Sequence, residues 1–315
     1  MRRRQAFLMC AAMAMMAVMP AAGQTPSVPG AAIPDLSGTW THPAFPWYEP
    51  PASGAPPFVT NLSRWAQQLP AGLAGSAAQP AGTVGISDYD QLVGDYKNPI
   101  LQPWAADIVK KFGEMSKAGI TYPNPSNQCW PHPPPFIFKQ FTVQFIQQAD
   151  RITILYSGDH ELRRVRMNAK HPSPLTPSWY GDSIGRYERD TLVIDTVGVK
   201  VDRPYAMQDL FGTPYTDKLH IIERYRIRDY EDVKDAIDRN KKENWLFNGD
   251  VWPTKGKFLQ VEMTIEDPGV FTKPFSATMT YAPTEAIAEG VCAENPHEYY
   301  NNKDSDVPTA KKPDF

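Results

Sequence analysis

The chain has 315 residues, with 32 Lys and Arg against 35 Asp and Glu, a net charge of −3, 32 prolines and three cysteines. No basic block appears along it, which argues against a nucleic-acid partner. After the first residues no stretch is long and apolar enough to cross a membrane as a helix.

Arg2, Arg3 and Arg4 precede an apolar run from Ala6 to Met19, and the small residues PAAGQ follow. That order is the one of a secretory signal peptide over residues 1–23, with the mature chain starting near Gln24. The arginines before Phe7 and Leu8 loosely suggest twin-arginine export. Cys10 sits mid-run behind Met9, which does not suit a lipid anchor. The destination is the periplasm or the exterior, without stable membrane insertion after cleavage. Loss of the three arginines leaves 29 basic against 35 acidic residues, about −6. Cys129 and Cys292 remain, and an exported pair is expected to be bridged. Two buried free thiols are the alternative.

Residues 24–135 read as an extended, proline-rich arm that wraps the core. Trp40, Phe45, Trp47, Tyr48, Phe58 and Trp65 give it apolar bulk that disordered segments lack. DLSGTW (35–40) starts a first strand. Residues 103–118 predict a helix, with Pro103 in the first turn, Ile108, Phe112 and Met115 on one face, and Gly119 at the end. From residue 136 the period becomes two. Strand runs are expected at 138–148, 151–157, 161–167, 183–188, 191–197, 219–227, 258–265 and 275–281. A charged, partly helical insertion at 230–256 interrupts them. The reading for 136–315 is a mainly β, antiparallel barrel-like domain, lipocalin- or calycin-like, or a sandwich.

The set DLSGTW, SWYGDSIGRYERDTLVIDTVG (178–198), GTPYTDKLHIIERYR (212–226), EDPGVFTKPFSATMTY (266–281) and VCAEN (291–295) resembles a large family of exported bacterial proteins without a settled biochemical function. The turn usually written E-G-D is here Glu188-Arg189-Asp190. The usual His of a P-H-S/T element is Tyr215. Gly38-Thr39-Trp40 is also similar to the G-x-W that opens lipocalin-type barrels, which implies a cavity able to hold one small ligand.

The polar residues on the strands carry the functional reading. A turn at Arg189-Asp190 pairs Glu188 with Thr191, Arg186 with Val193 and Ile184 with Asp195. Gly185, Tyr187, Leu192, Ile194 and Thr196 then form the core face. Arg186 and Asp195 become diagonal neighbours able to pair. In LHIIERYRI, Glu223 lies amid Leu219, Ile221, Tyr225 and Ile227. Such a carboxylate either has a cation partner, Arg163 or Arg186, or has a raised pKa that suits acid–base work. His160, Asp182 and His220 stand near strand ends, where a barrel mouth would be. Trp179 and Tyr180 could stack on a ring or cap the barrel.

There is no nucleophile elbow, phosphate loop or zinc spacing, so neither metal nor cofactor is expected. The sequence therefore points to a pocket acting on a small organic molecule, such as an aromatic or phenolic one. One use is metal-free acid–base catalysis (lyase, isomerase or hydrolase). Glu223, His220, His160 and Asp182 would be the acid–base groups, and Arg163, Arg186, Trp179, Tyr180 and Tyr225 would hold the substrate. The others are a non-catalytic lipocalin-like binder and a structural envelope protein.

Overall fold

A computed structural model describes residues 33–42, 92–120, 122–140, 142–158, 161–201, 206–243, 253–285, 290 and 292. Among them, nine strands close into one barrel in chain order. They are β1 (Gly38–Thr41), β2 (Thr142–Gln147), β3 (Arg151–Tyr156), β4 (Leu162–Met167), β5 (Asp182–Glu188), β6 (Thr191–Val197), β7 (His220–Asp229), β8 (Lys257–Glu266) and β9 (Phe275–Thr284). The alternating stretches form strands because each has one wall in the core and one in water. In β4, Arg163, Val165 and Met167 are buried, while Leu162, Arg164 and Arg166 are exposed.

An up-and-down ring alternates without a break only when its strand number is even. Nine strands force a parallel neighbour pair, and it falls between β4 and β5. The other eight pairings are antiparallel. The parallel ladder is short: Val165 faces Ser183, Arg166 faces Ile184 and Met167 faces Gly185. A parallel pair needs a crossover, and residues 168–181 provide one without a helix.

The β5–β6 hairpin has the expected register, with Glu188 opposite Thr191, Arg186 opposite Val193 and Ile184 opposite Asp195. Arg189 takes φ +58 at its turn, the region that a glycine enters more easily. The proposed Arg186–Asp195 pair does not form. Arg186 bonds Glu188 at 2.6 Å, and Asp195 is held by histidines instead.

Two further expectations shift. The run read as a strand from 138 starts only at Thr142. Before it, Phe136–Lys139 make a 3-10 turn in which Phe136, Ile137 and Phe138 are all buried, which an alternating strand would not allow. Helix α1 (Pro103–Lys117) buries Ala105, Val109 and Gly113, with Ile108, Phe112 and Met115 beside that stripe. Small residues let it sit close: a Cβ on Gly113 would lie 3.1 Å from Val93. The charged insertion opens with α2 (Tyr230–Glu243), whose Val233 and Ile237 pack on Phe258 and Ala282.

From the arm, β1 pairs with both β2 and β9 and so closes the ring. Trp40 is buried, and its indole N–H donates to the Leu36 carbonyl. Phe45, Trp47, Tyr48, Phe58, Trp65 and residues 1–23, read as a signal peptide, lie outside the described residues. Cys129 and Cys292 are bridged. Among the described residues no helix is long and apolar enough to cross a membrane.

Candidate functional site

β7 places Glu223 between Ile221 and Tyr225 on its inner wall, fully buried. β4 sends Arg163 to meet it, with side chains 1% and 0% exposed. Arg163 Nη2 donates to Glu223 Oε1 at 2.7 Å and Nη1 donates to Oε2 at 3.1 Å. This fork-to-carboxylate geometry is the strongest arrangement two such groups adopt. The remaining Nη hydrogens reach Tyr156 Oη at 3.2 Å, Ser183 Oγ at 3.3 Å and Thr196 Oγ1 at 3.1 Å. The Tyr225 hydroxyl donates to Glu223 Oε2 at 2.7 Å.

Burial pulls the Arg163 guanidinium down, but the Glu223 carboxylate outweighs it and holds the group well above its ordinary value. Burial pushes the Tyr156 phenol up to about 12. Burial, with the Glu223 charge behind it, raises Tyr225 well above the usual phenol range. Glu223 thus accepts from a fixed fork and a phenol, and its oxygens are committed. Of the two readings of that carboxylate, the geometry gives the paired one, with Arg163 and not Arg186 as partner. Arg163 Nε is buried without a hydrogen-bond partner.

The parallel seam sits beside this network. Past the three-residue ladder, Ser178 is drawn to the segment after β6, with its N–H on the Gly198 carbonyl and its carbonyl on the Lys200 N–H. The chain entering β5 therefore parts from the first half of β4. Gly181 permits that turn: its φ is +71, and a Cβ there would lie 2.6 Å from the Val197 carbonyl oxygen. The gap is a pocket of about 300 Å³ lined by Leu162, Arg163, Arg164, Ser178, Tyr180, Gly181 and Ser183. Arg164, on the outer wall, also borders the pocket and makes no ion pair among the described residues.

The other expected site residues stand elsewhere. His220 and Asp182 are on the outer wall, so neither shares an interior with Glu223. Asp182 takes Arg166 at 2.8 Å and His171 Nδ1 at 2.6 Å. His171 Nε2 and His220 Nε2 both reach Asp195 Oδ1, at 3.1 and 3.0 Å, and His220 Nδ1 lies 3.4 Å from Glu266. This chain pins the crossover, through His171, to β5 and β6. Arg186 is outside with Glu188. Trp179 has Lys200 Nζ 5.4 Å above its ring and is not among the residues that line the pocket. Tyr180 and Arg163 do line the pocket; Tyr225 does not, and its hydroxyl goes to Glu223. His160 lies outside the described residues.

The outer chain has a testable pH signature. Its bond to Asp195 raises His220 above the ordinary histidine value. Burial pulls Asp195 up, but the two histidines outweigh it and hold the carboxyl low. The His220 contribution is therefore complete below about pH 6.5 and is lost as pH rises through its raised folded value. The Asp195 contribution is complete above about pH 4 and is lost as pH falls. The groups are partly exposed, so the effect is about 1 kcal/mol. Thermal melts at pH 6 and 8.5 should show a fall for the wild type that His220→Gln lacks. Equal falls in both proteins would remove the assignment.

Comparison of the chain with family models, with curated proteins and with solved structures returns no match. Fold and site together define a mainly β, closed nine-stranded barrel with an interior ion pair and a pocket at its parallel seam. Arg164, Ser178, Ser183 and Thr196 enter this site without having been singled out in the sequence. The signal was faint: Arg163-Arg164 is a pair of adjacent cations on one strand, which must point to opposite walls.

Proposed function

We propose that this is an exported small-molecule pocket protein whose seam pocket binds a small organic anion, an aromatic carboxylate or phenolate. The observation that carries this reading is the pocket beside buried Arg163, whose Nε–H lacks a partner, with Arg164 at the same opening. A buried unpaired donor is costly, and because Nε is sealed from solvent a ligand acceptor reaches it only as the Arg163 side chain shifts. The volume suits a single-ring compound. Tyr180 and Leu162 offer apolar contact, and the serines offer hydroxyls. The signal segment and the resemblance to exported bacterial proteins support its placement in the periplasm or outside the cell. Of the uses open to the sequence, binding is better served than acid–base catalysis by Glu223, whose oxygens are committed to Arg163 and Tyr225.

A thermal-shift series tests it. Benzoate and 4-hydroxybenzoate should raise the melting temperature, while benzamide and benzyl alcohol should not. At a hundred times Kd the expected stabilisation is about 2.7 kcal/mol. Arg164→Glu places a negative charge at the mouth and should remove the response without lowering the unliganded melt. No shift with either anion, or a response that survives Arg164→Glu, would sink the proposal.

A further inference from the structure

One polar cluster near the pocket contains an ordered chain of roles. Ser126 is half-buried in the segment after α1. Its Oγ lies 3.2 Å from His132 Nε2, and His132 Nδ1 lies 2.8 Å from Glu161 Oε2. The His132 and Glu161 side chains are each 5% exposed. Glu161 Oε1 accepts the His132 backbone N–H at 2.6 Å and the Tyr180 hydroxyl at 3.3 Å, so the carboxylate is fixed in place. A carboxylate that takes Nδ1–H leaves Nε2 as the acceptor, and Nε2 is the nitrogen facing the serine. The Gln140 side-chain nitrogen stands 2.7 Å from Nδ1; with Nδ1–H given to Glu161, the carboxamide turned over presents its oxygen there instead. The disulfide secures the segment, since Cys292 Sγ lies 3.6 Å from the Ser126 carbonyl oxygen.

We propose that Ser126, His132 and Glu161 are nucleophile, general base and positioning residue of an aryl-ester hydrolase. The assignment is independent of what the seam pocket binds. Nucleophile, base and orienting carboxylate within hydrogen-bond reach are the geometric signature of such a relay. Ser126 Oγ attacks the ester carbonyl carbon as its proton passes to His132 Nε2. The bond from that carbon to the phenolic oxygen breaks, and His132 returns the proton to the oxygen. This leaves an acyl-serine and a free phenol. Water then attacks the acyl carbon and gives a proton to His132. Ser126 departs, taking that proton back, and a carboxylic acid is released. Nothing is oxidised or reduced.

The oxyanion side sets the substrate class. The backbone N–H groups of Ser126 and Asn127 both donate to Asn124 Oδ1, at 2.9 and 3.1 Å, and so are committed away from a substrate carbonyl. Loss of one such donor costs a serine hydrolase about 10²–10³ in rate. Esters with a good leaving group need that help least, which favours aryl esters over alkyl esters and amides.

The test uses the purified full chain, 4-nitrophenyl acetate, and a fluorophosphonate probe followed by peptide mapping. The wild type should hydrolyse the ester with an initial burst and take the probe on Ser126. Ser126→Ala should lose about 100-fold or more in turnover and keep its melt within about 2 °C, because the Ser126 hydroxyl bonds only His132 among the described residues. Glu161→Gln should shift the pH–rate profile, and Glu161→Asp should restore it in part; a merely structural Glu161 would leave the profile in place. Absence of hydrolysis and labelling in the wild type, labelling elsewhere, or turnover that survives Ser126→Ala would each overturn the proposal.

Discussion

Glu223→Gln is expected to cost about 3–5 kcal/mol, a large part of the stability of a domain this size. The substitution keeps shape and volume but leaves the Arg163 guanidinium charged at the barrel centre without a counter-charge. Arg163 cannot escape by losing its proton. Arg163→Met strands the carboxylate instead, and a lone buried carboxylate can take up a proton. The two single variants should therefore differ in pH dependence. In Arg163→Met the folded state binds a proton that the unfolded chain releases, so stability should rise as pH is lowered from 7 towards 5. In Glu223→Gln no such recovery should appear. Replacing both residues, as Arg163→Met with Glu223→Leu, should recover most of the loss, because an apolar pair of similar volume removes the desolvation penalty of both ions. Urea unfolding of the four proteins at pH 5 and 7 checks this. A Glu223→Gln protein within about 1 kcal/mol of wild type at pH 7 would mean that the pair is not the keystone of the interior.

The second large effect belongs to the bridge between Cys129 and Cys292, whose ends are 163 residues apart in sequence. A loop of that length restricts the unfolded chain by about 5 kcal/mol on the chain-entropy account, and native bridges measure about 2–5 kcal/mol. Replacing both cysteines by serine should lower the melting temperature by roughly 5–15 °C. The barrel ladders do not pass through either cysteine, so the far-UV β signal at 25 °C should survive. Denatured, unreduced protein should show no titratable thiol at these positions. Two titratable thiols, or an unchanged melt in the double serine variant, would refute the assignment.

How far the chain could be read shows most clearly in three places. LHIIERYRI revealed its inner wall, Glu223 included, because a strand exposes its period directly. The β5–β6 hairpin revealed its register, because a turn of two residues leaves the flanking residues one way to pair. The sequence also offered two partners for Glu223, Arg163 and Arg186, and nothing local could choose between them. They stand on strands adjacent in the ring, but one points in and the other out.

The rest was out of reach for a physical reason. His132 and Ser126 lie in a proline-rich stretch with no period, so no face could be assigned to them. They meet Glu161 only because the disulfide and the barrel rim bring three segments together. His171 looked like one loop residue among several, and it became the brace of the crossover only when β5 and β6 stood beside it. Local pattern, which depends on neighbours within a few residues, determined from the sequence alone that this is a β-rich chain with a buried carboxylate and a bridgeable cysteine pair. The parallel seam is a property of the whole ring, since an odd strand count can be accommodated only once all nine are in place. Closure decided where that seam falls, and with it the position of the pocket, the partner of Glu223 and the grouping of Ser126 with His132 and Glu161.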